Sequence, residues 1–186
     1  MLGFYNYTVI LTYISLLSSS VGIIFAFKGE ITICAVLLLI SGICDMYDGK
    51  IARTKKDRTD EEKKFGIQID SLCDLVCFSV FPSVIGYSLG IDKIWMLIIL
   101  AVYPLTGVIR LGYFNVTEEI RQEKTKEKRK IYQGLPVTFS GFLVPLFLFL
   151  RNVIGTNFNI VYIVLILTMG ILHISPIKVY RLSKEK

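Results

Sequence analysis

The sequence has few residues of the kinds that bind soft metals. It contains one histidine, His173, and four cysteines, and no two cysteines form a CxxC pair. Zinc sites usually need four such ligands at close spacing. We therefore expect no zinc site, and we interpret the cysteines as small apolar residues within apolar stretches.

Charge is also scarce. Charged residues make up 19% of the 186 residues, hydrophobic residues make up 53%, and the mean hydropathy is +0.60. A soluble domain is about 45–50% apolar. Because the excess is concentrated in blocks, the composition indicates a membrane protein with several spans, folded as one domain over residues 1–186. The N-terminus lacks the basic segment of a signal peptide, so we expect the first apolar block to be a retained span.

Six apolar stretches have close to the ~20 residues that a helix needs to cross a bilayer. They cover residues 8–27, 31–52, 66–90, 93–114, 134–151 and 158–177. Sixteen lysines and arginines lie in loops 53–65 and 115–133 and in the C-terminal tail, against three in the opposite connections. This bias predicts that both termini and the two long loops are cytoplasmic. It also accounts for the net charge of +6, so we expect no nucleic-acid partner.

Four aspartates lie inside the second and third apolar stretches. They are Asp45, Asp48, Asp70 and Asp74. Carboxylates at membrane depth are costly and indicate a functional site. The spacings i, i+3 and i, i+4 place each pair on one helix face. Because clustered carboxylates need compensation, and oxygen ligands favour Mg²⁺, Mn²⁺ or Ca²⁺, the pattern predicts a divalent-metal site at the cytoplasmic mouth of a helical hairpin. A structural ion-pair cluster is the alternative.

Small residues and one arginine accompany the aspartates. Gly49, Ala52 and Gly66 leave room for a diphosphate to approach the backbone closely. Arg53 can hold a phosphate through two parallel hydrogen bonds. Its alternative role is that of a snorkelling residue that fixes topology.

The order of these residues, DxxDGxxAR, a spacer and GxxxDxxxD, resembles the signature of the CDP-alcohol phosphotransferase family. The spacer, residues 54–65, is longer than is usual in that family. The resemblance implies an all-α membrane protein with six transmembrane helices, which forms a homodimer. It also implies a reaction in which an alcohol displaces CMP from a CDP-linked donor.

The resemblance also implies roles for individual residues. Two divalent cations, Mg²⁺ or Mn²⁺, would be held by Asp45, Asp48, Asp70 and Asp74, and Asp74 would also be the catalytic base. Related enzymes often carry polar residues at the positions of Thr12 and Ser15, near the cytidine. Helix packing is the alternative role for these two hydroxyls.

Two further motifs concern the acceptor alcohol. RLGYFN at residues 110–115 and GLP at residues 134–136 resemble motifs of bacterial and archaeal phosphatidylserine synthases of this class. The resemblance implies CDP-diacylglycerol and L-serine as substrates and a location in a bacterial plasma membrane. Arg110 could bind the serine carboxylate, Asn115 either polar group, and Gly134 a turn beside them.

Alternatives remain for the function and for two other features. The acceptor could be another alcohol, such as glycerol 3-phosphate or inositol phosphate. A cation transporter is the alternative from another class, although its aspartates would line a path rather than cluster at one mouth. We expect a solvated helical extension at residues 116–131 and a structural role for His173.

Overall fold

The computed structural model describes Gly3, Phe4 and residues 6–125 and 131–180. Within these residues the regular secondary structure is helical apart from one short pair of strands. The helices are α1 (Ile10–Phe27), α2 (Ile31–Ala52), α3 (Asp60–Leu75), α4 (Phe81–Ser88), α5 (Ile94–Lys124), α6 (Ser140–Phe149), α7 (Arg151–Ile154) and α8 (Phe158–Ile174). A π-helical segment, Val76–Val80, joins α3 to α4, and 3-10 segments cover Tyr7–Val9, Val137–Phe139 and Gly155–Asn157. The strands β1 (Ile131–Gln133) and β2 (Lys178–Tyr180), which were not predicted, pair antiparallel.

Five helical segments are long and apolar enough to cross a membrane. They are Tyr7–Phe27, Ile31–Ala52, Asp60–Ser88, Ile94–Lys124 and Arg151–Ile174. The prediction of an all-α integral membrane protein is thus confirmed. The stretch predicted as a span at 134–151 forms a shorter apolar helix, Val137–Phe149. It begins late because Pro136 has an extended backbone (φ −59°, ψ 139°) and Gly134 has a positive φ of 73°.

The third span begins six residues earlier than the predicted start at Gly66. Thr59 caps α3: its hydroxyl accepts from the Glu62 amide at 3.2 Å, and the Glu62 carboxylate accepts from the Thr59 amide at 3.1 Å. This reciprocal capping satisfies amides that would otherwise lack partners. Lys55 pairs with Glu62 at 3.0 Å, so the loop is tied to the helix that follows it.

Helix α5 continues past the apolar stretch to Lys124, which confirms the predicted helical extension as far as that residue. The predicted helix does not continue at the other described residues, because Thr125 has an extended backbone (φ −153°, ψ 145°) and Ile131 begins β1. Residues 126–130 lie outside the described residues.

Helices α1 and α2 form a hairpin whose contact surface is rich in serine. The hydroxyls of Ser19 and Ser41 lie 2.8 Å apart, and Ser15 donates to the Ser41 carbonyl at 3.2 Å. Small residues allow helix backbones to approach closely, and hydroxyls join helices in apolar surroundings. The hairpin therefore holds the Asp45 end of α2 in a defined position beside α1.

The π-helical segment begins two residues after Asp74 and anchors this part of the chain in the core. Pro82 has no amide hydrogen, so the Phe78 carbonyl four residues earlier lacks its usual helical donor. The Ser140 hydroxyl donates to that carbonyl at 2.6 Å, and the Tyr103 hydroxyl donates to it at 3.3 Å. Because α5 and α6 supply these donors, they hold the π-helical segment in place. This segment continues from α3, which carries Asp70 and Asp74.

Two glycines bring α2 and α6 into backbone contact. A Cβ at Gly141 would lie 2.7 Å from the Phe78 ring and 3.1 Å from the Gly42 Cα. We expect Gly141→Val to destabilise the protein by about 3 kcal/mol, because overpacking forces the helices apart. Thermal unfolding in detergent measures this effect. Gly112→Ala is the control, since nothing lies within 4 Å of a Cβ there. Equal unfolding temperatures for the two variants would contradict the close approach.

Candidate active site

Three of the four aspartates form one compact cluster. Asp45, Asp70 and Asp74 each bring a carboxylate oxygen to within 4.8 Å of the other two. Helix α2 supplies the first residue, and α3 supplies the others from successive turns. Asp74 is only 9% exposed. An all-oxygen donor set at this separation fits a hard divalent cation better than zinc.

Asp48 lies beside this cluster. Its carboxyl group is within hydrogen-bond distance of Asp70, as that of Asp45 is of Asp74. The Thr12 hydroxyl donates to Asp48 Oδ2 at 3.1 Å. The structure thus brings together all four predicted aspartates. Carboxylates so close together repel each other when charged, which makes the cluster suited to cations.

A first cavity, of about 160 Å³, lies between α1, α2 and α3, and we call it the α1-side cavity. It is lined by Thr12, Asp48, Gly49, Ala52 and Gly66, five of the residues predicted for the nucleotide, diphosphate or metal. Asp70 also lines it, so the cavity reaches the aspartate cluster.

Two residues predicted to contact the nucleotide or diphosphate lie elsewhere. Ser15 is 3% exposed, and its hydroxyl is used in the α1–α2 contact rather than in the lining of the α1-side cavity. Arg53 follows α2 as an exposed residue and does not line this cavity either. Its Nη2 atom lies 3.9 Å from where a Cβ at Gly49 would be, so the guanidinium stands at that glycine.

A second cavity, of about 210 Å³, joins three aspartates to Arg110, and we call it the α5-side cavity. Asp45, Asp70, Asp74 and Thr138 line it together with that arginine. Arg110 is 6% exposed, and its Nε donates to the Leu135 carbonyl at 3.3 Å. A buried cation therefore shares a cavity with the aspartate cluster.

Gly134 has a packing role. A Cβ at this position would lie 2.5 Å from the His173 carbonyl oxygen, and the Gly134 amide donates to the Ile177 carbonyl at 2.8 Å. The glycine therefore lets the loop lie against the end of α8, and it does not line the α5-side cavity. The next residue, Leu135, is the one that contacts Arg110, since its carbonyl accepts from the guanidinium.

Asn115 lies in a third cavity, of about 310 Å³, between α3 and α5. Its amide nitrogen donates to the Ser71 hydroxyl at 2.8 Å. The two residues predicted to bind the acceptor, Arg110 and Asn115, thus line separate cavities. Both cavities share Asp70 and Asp74.

The structure adds residues that sequence reasoning missed. Arg58 and Lys63 line the α1-side cavity, although their loop was interpreted as a topology signal. Ser71 lines the cavity of Asn115. Its position directly after Asp70, inside the aspartate motif, could have indicated a place at the site. His173 is 2% exposed and packs with its ring centroid 5.4 Å from that of Tyr103, in keeping with a structural role.

Comparison with known proteins places this arrangement in a family. The family described as CDP-alcohol phosphatidyltransferase matches residues 5–172. A CDP-diacylglycerol–serine O-phosphatidyltransferase of Helicobacter pylori is 29% identical over 180 residues, which cover 92% of this chain and 70% of that protein. The enzyme of the same name from Saccharomyces cerevisiae is 33% identical over 112 residues. The match covers 59% of this chain and 39% of the yeast protein.

A third relative has a different name from the first two. The archaetidylserine synthase of Methanothermobacter thermautotrophicus is 34% identical over 107 residues, or 55% of this chain and 45% of that protein. The family match covers nearly the whole chain and includes all four clustered aspartates. The chain therefore belongs to the CDP-alcohol phosphatidyltransferase family.

Proposed function

We propose that this protein is a phosphatidylserine synthase, which transfers a phosphatidyl group from CDP-diacylglycerol to L-serine and releases CMP. The observation that carries the proposal is that one cavity joins the aspartate cluster to the buried Arg110. A guanidinium recognises a carboxylate through paired hydrogen bonds, and L-serine brings a carboxylate and a hydroxyl. The names of the relatives support the same acceptor.

The reaction needs a base close to the acceptor hydroxyl. Asp74 is buried, and it lines both the cavity of Arg110 and the cavity of Asn115. In our proposal the serine hydroxyl gives its proton to an Asp74 carboxylate oxygen, and its oxygen attacks the phosphorus next to diacylglycerol. The bond from that phosphorus to the CMP oxygen breaks, and CMP leaves with the electron pair.

We propose Mg²⁺ or Mn²⁺ as the cofactor, with two ions per site. Asp45, Asp70 and Asp74 would hold one ion, and Asp48 with Asp70 would contribute to a second. When bound, such ions neutralise charge on a diphosphate and on the departing phosphate. The contribution of Thr12 is to hold the Asp48 carboxylate in place through its hydrogen bond.

We also propose a place and an assembly for the enzyme. The excess of lysine and arginine in the loops beside the aspartates supports a cytoplasmic site and cytoplasmic termini in a plasma membrane. The family resemblance supports a homodimer, which light scattering of the detergent-solubilised protein tests.

The experiment that tests the function is CMP release from CDP-diacylglycerol by purified protein with Mn²⁺ or Mg²⁺. L-serine, glycerol 3-phosphate, inositol and inositol phosphate are offered separately. Release that depends on L-serine supports the proposal. CMP release with another alcohol alone would show that L-serine is not the acceptor. Ion flux in liposomes without CMP release would favour the cation transporter.

A substitution at Arg110 tests how the acceptor is recognised. We expect Arg110→Lys to raise the KM for L-serine about tenfold, because lysine keeps the charge but loses the paired hydrogen bonds. Steady-state kinetics with saturating CDP-diacylglycerol measure the change. L-serine methyl ester, which has no carboxylate, is the control acceptor. An equal rise in KM for the ester would contradict a carboxylate contact.

A further inference from the structure

The loop between α2 and α3 contains Arg58, which lines the α1-side cavity together with two of the aspartates. Arg58 Nη1 donates to the Ala52 carbonyl at 3.5 Å, and Nη2 donates to the Glu62 carbonyl at 3.1 Å. Its Nε atom is buried and has no hydrogen-bond partner among the described residues. The guanidinium therefore bridges the end of α2 and the beginning of α3, and each of its Nη atoms has a second hydrogen that it can still donate.

Gly66 makes room for this guanidinium. A Cβ at position 66 would lie 2.6 Å from Arg58 Nη2 and 3.8 Å from its Cζ. Glycine inside a helix costs about 1 kcal/mol relative to alanine, so its presence in α3 has a steric reason here. Gly49 differs: a Cβ there would lie 3.9 Å from Arg53 Nη2, which is an ordinary contact. Only at Gly66, of these two glycines, does the side chain of an arginine occupy the space that a Cβ would need.

The α1-side cavity has walls of opposite charge. Arg58 and Lys63 line one part of it, and Asp48 and Asp70 line another. Among the salt bridges of the described residues none involves Arg58, whereas Lys63 is paired with the exposed Asp60 at 2.9 Å. A ligand that meets the cationic wall is therefore an anion. A phosphate oxygen fits, since a guanidinium binds it with charge-assisted hydrogen bonds.

We propose that Arg58 binds a phosphate oxygen of the cytidine-diphosphate donor, as a donor-binding residue supplied by the long spacer. This inference rests on the proposed function and adds a residue to its site. The twelve residues 54–65 provide the chain length that carries Arg58 to Gly66. The diphosphate then lies between the cationic wall of the α1-side cavity, formed by Arg58 and Lys63, and its carboxylate wall, formed by Asp48 and Asp70.

Equilibrium binding of CDP to the full-length protein in detergent with Mn²⁺ tests the inference. We expect Arg58→Gln to raise the Kd for CDP about tenfold or more, since a charge-assisted hydrogen bond is lost, and Arg58→Lys to fall between. In kinetics the same variant should raise the KM for CDP-diacylglycerol and leave the KM for L-serine unchanged. Lys56→Gln, an exposed cation of the same loop outside the cavity lining, is the matched control.

The remaining arms separate the explanations. Inorganic phosphate should compete with CDP in the wild-type protein and compete less in Arg58→Gln. Loss of phosphate competition with an unchanged Kd for CDP would assign Arg58 to free phosphate and overturn the inference. An unchanged Kd in a variant with wild-type thermal unfolding, or an equal loss in Lys56→Gln, would overturn it as well. Failure of the wild-type protein to bind CDP would instead overturn the proposed donor, and the inference with it.

Discussion

Asp74→Asn is expected to lower kcat by about 10³-fold, within the range that a positioned general base contributes. Asparagine keeps the size of the side chain but does not accept the proton of the acceptor hydroxyl. Asp74 lines both cavities that are open to an acceptor, so no other described position combines this burial with this access. The measurement is CMP release under saturating substrates, with CDP binding followed in parallel.

The binding measurement separates the base from a merely structural residue. At saturating Mn²⁺, CDP should bind Asp74→Asn with at most a small loss, because the excess of ion offsets the loss of one proposed metal ligand and the α1-side cavity does not include Asp74. Asp92→Asn makes the same chemical change at an exposed position outside the aspartate cluster and should leave turnover intact. Turnover of Asp74→Asn at the wild-type rate would refute the base assignment.

Asp70→Asn is expected to have the largest effect on metal binding. Asp70 belongs to the compact cluster, lies within hydrogen-bond distance of Asp48 and lines all three cavities around the cluster. Loss of a residue outside the metal's ligands costs about 10–100-fold in metal affinity, so loss of a ligand should cost at least that much. A titration with Mn²⁺, followed by the electron paramagnetic resonance of the free ion, measures the affinity without reference to activity.

Chelation gives the complementary result for the wild-type protein. EDTA should abolish CMP release, and added Mn²⁺ or Mg²⁺ should restore it, because oxygen ligands bind these ions reversibly. Asp92→Asn is again the control, with an unchanged Mn²⁺ affinity. Full activity after exhaustive chelation, or Mn²⁺ binding by Asp70→Asn equal to wild type, would contradict a metal role for the cluster.

The convergence of the aspartates could be predicted because it depends on short-range geometry. Spacings of three and four residues place each pair on one helix face, and a short connection between two apolar helices makes them antiparallel neighbours. The pairing of Asp48 with Asp70, and of Asp45 with Asp74, follows from that neighbourhood.

The surroundings of the aspartates could not be predicted in the same way. Arg110 and Asn115 were assigned to one substrate from their motif, but they line different cavities, whereas Leu111 and Phe114, which lie between them in the sequence, line both. Gly134 belongs to the same region, yet its contact is the His173 carbonyl, nearly 40 residues away in the sequence. Such contacts between distant segments depend on packing that no local pattern records.

The sequence by itself determined the class of protein and the carboxylates of the site. Apolar blocks specify membrane helices because no unpaired backbone is tolerated in lipid, and four aspartates inside such blocks indicate a functional site because carboxylates at membrane depth are costly. Only the tertiary structure decided which residues surround that cluster. It placed Arg58 at Gly66 and placed Arg110 in one cavity with Asp74, because side chains from separate helices and loops meet only after the helices have packed.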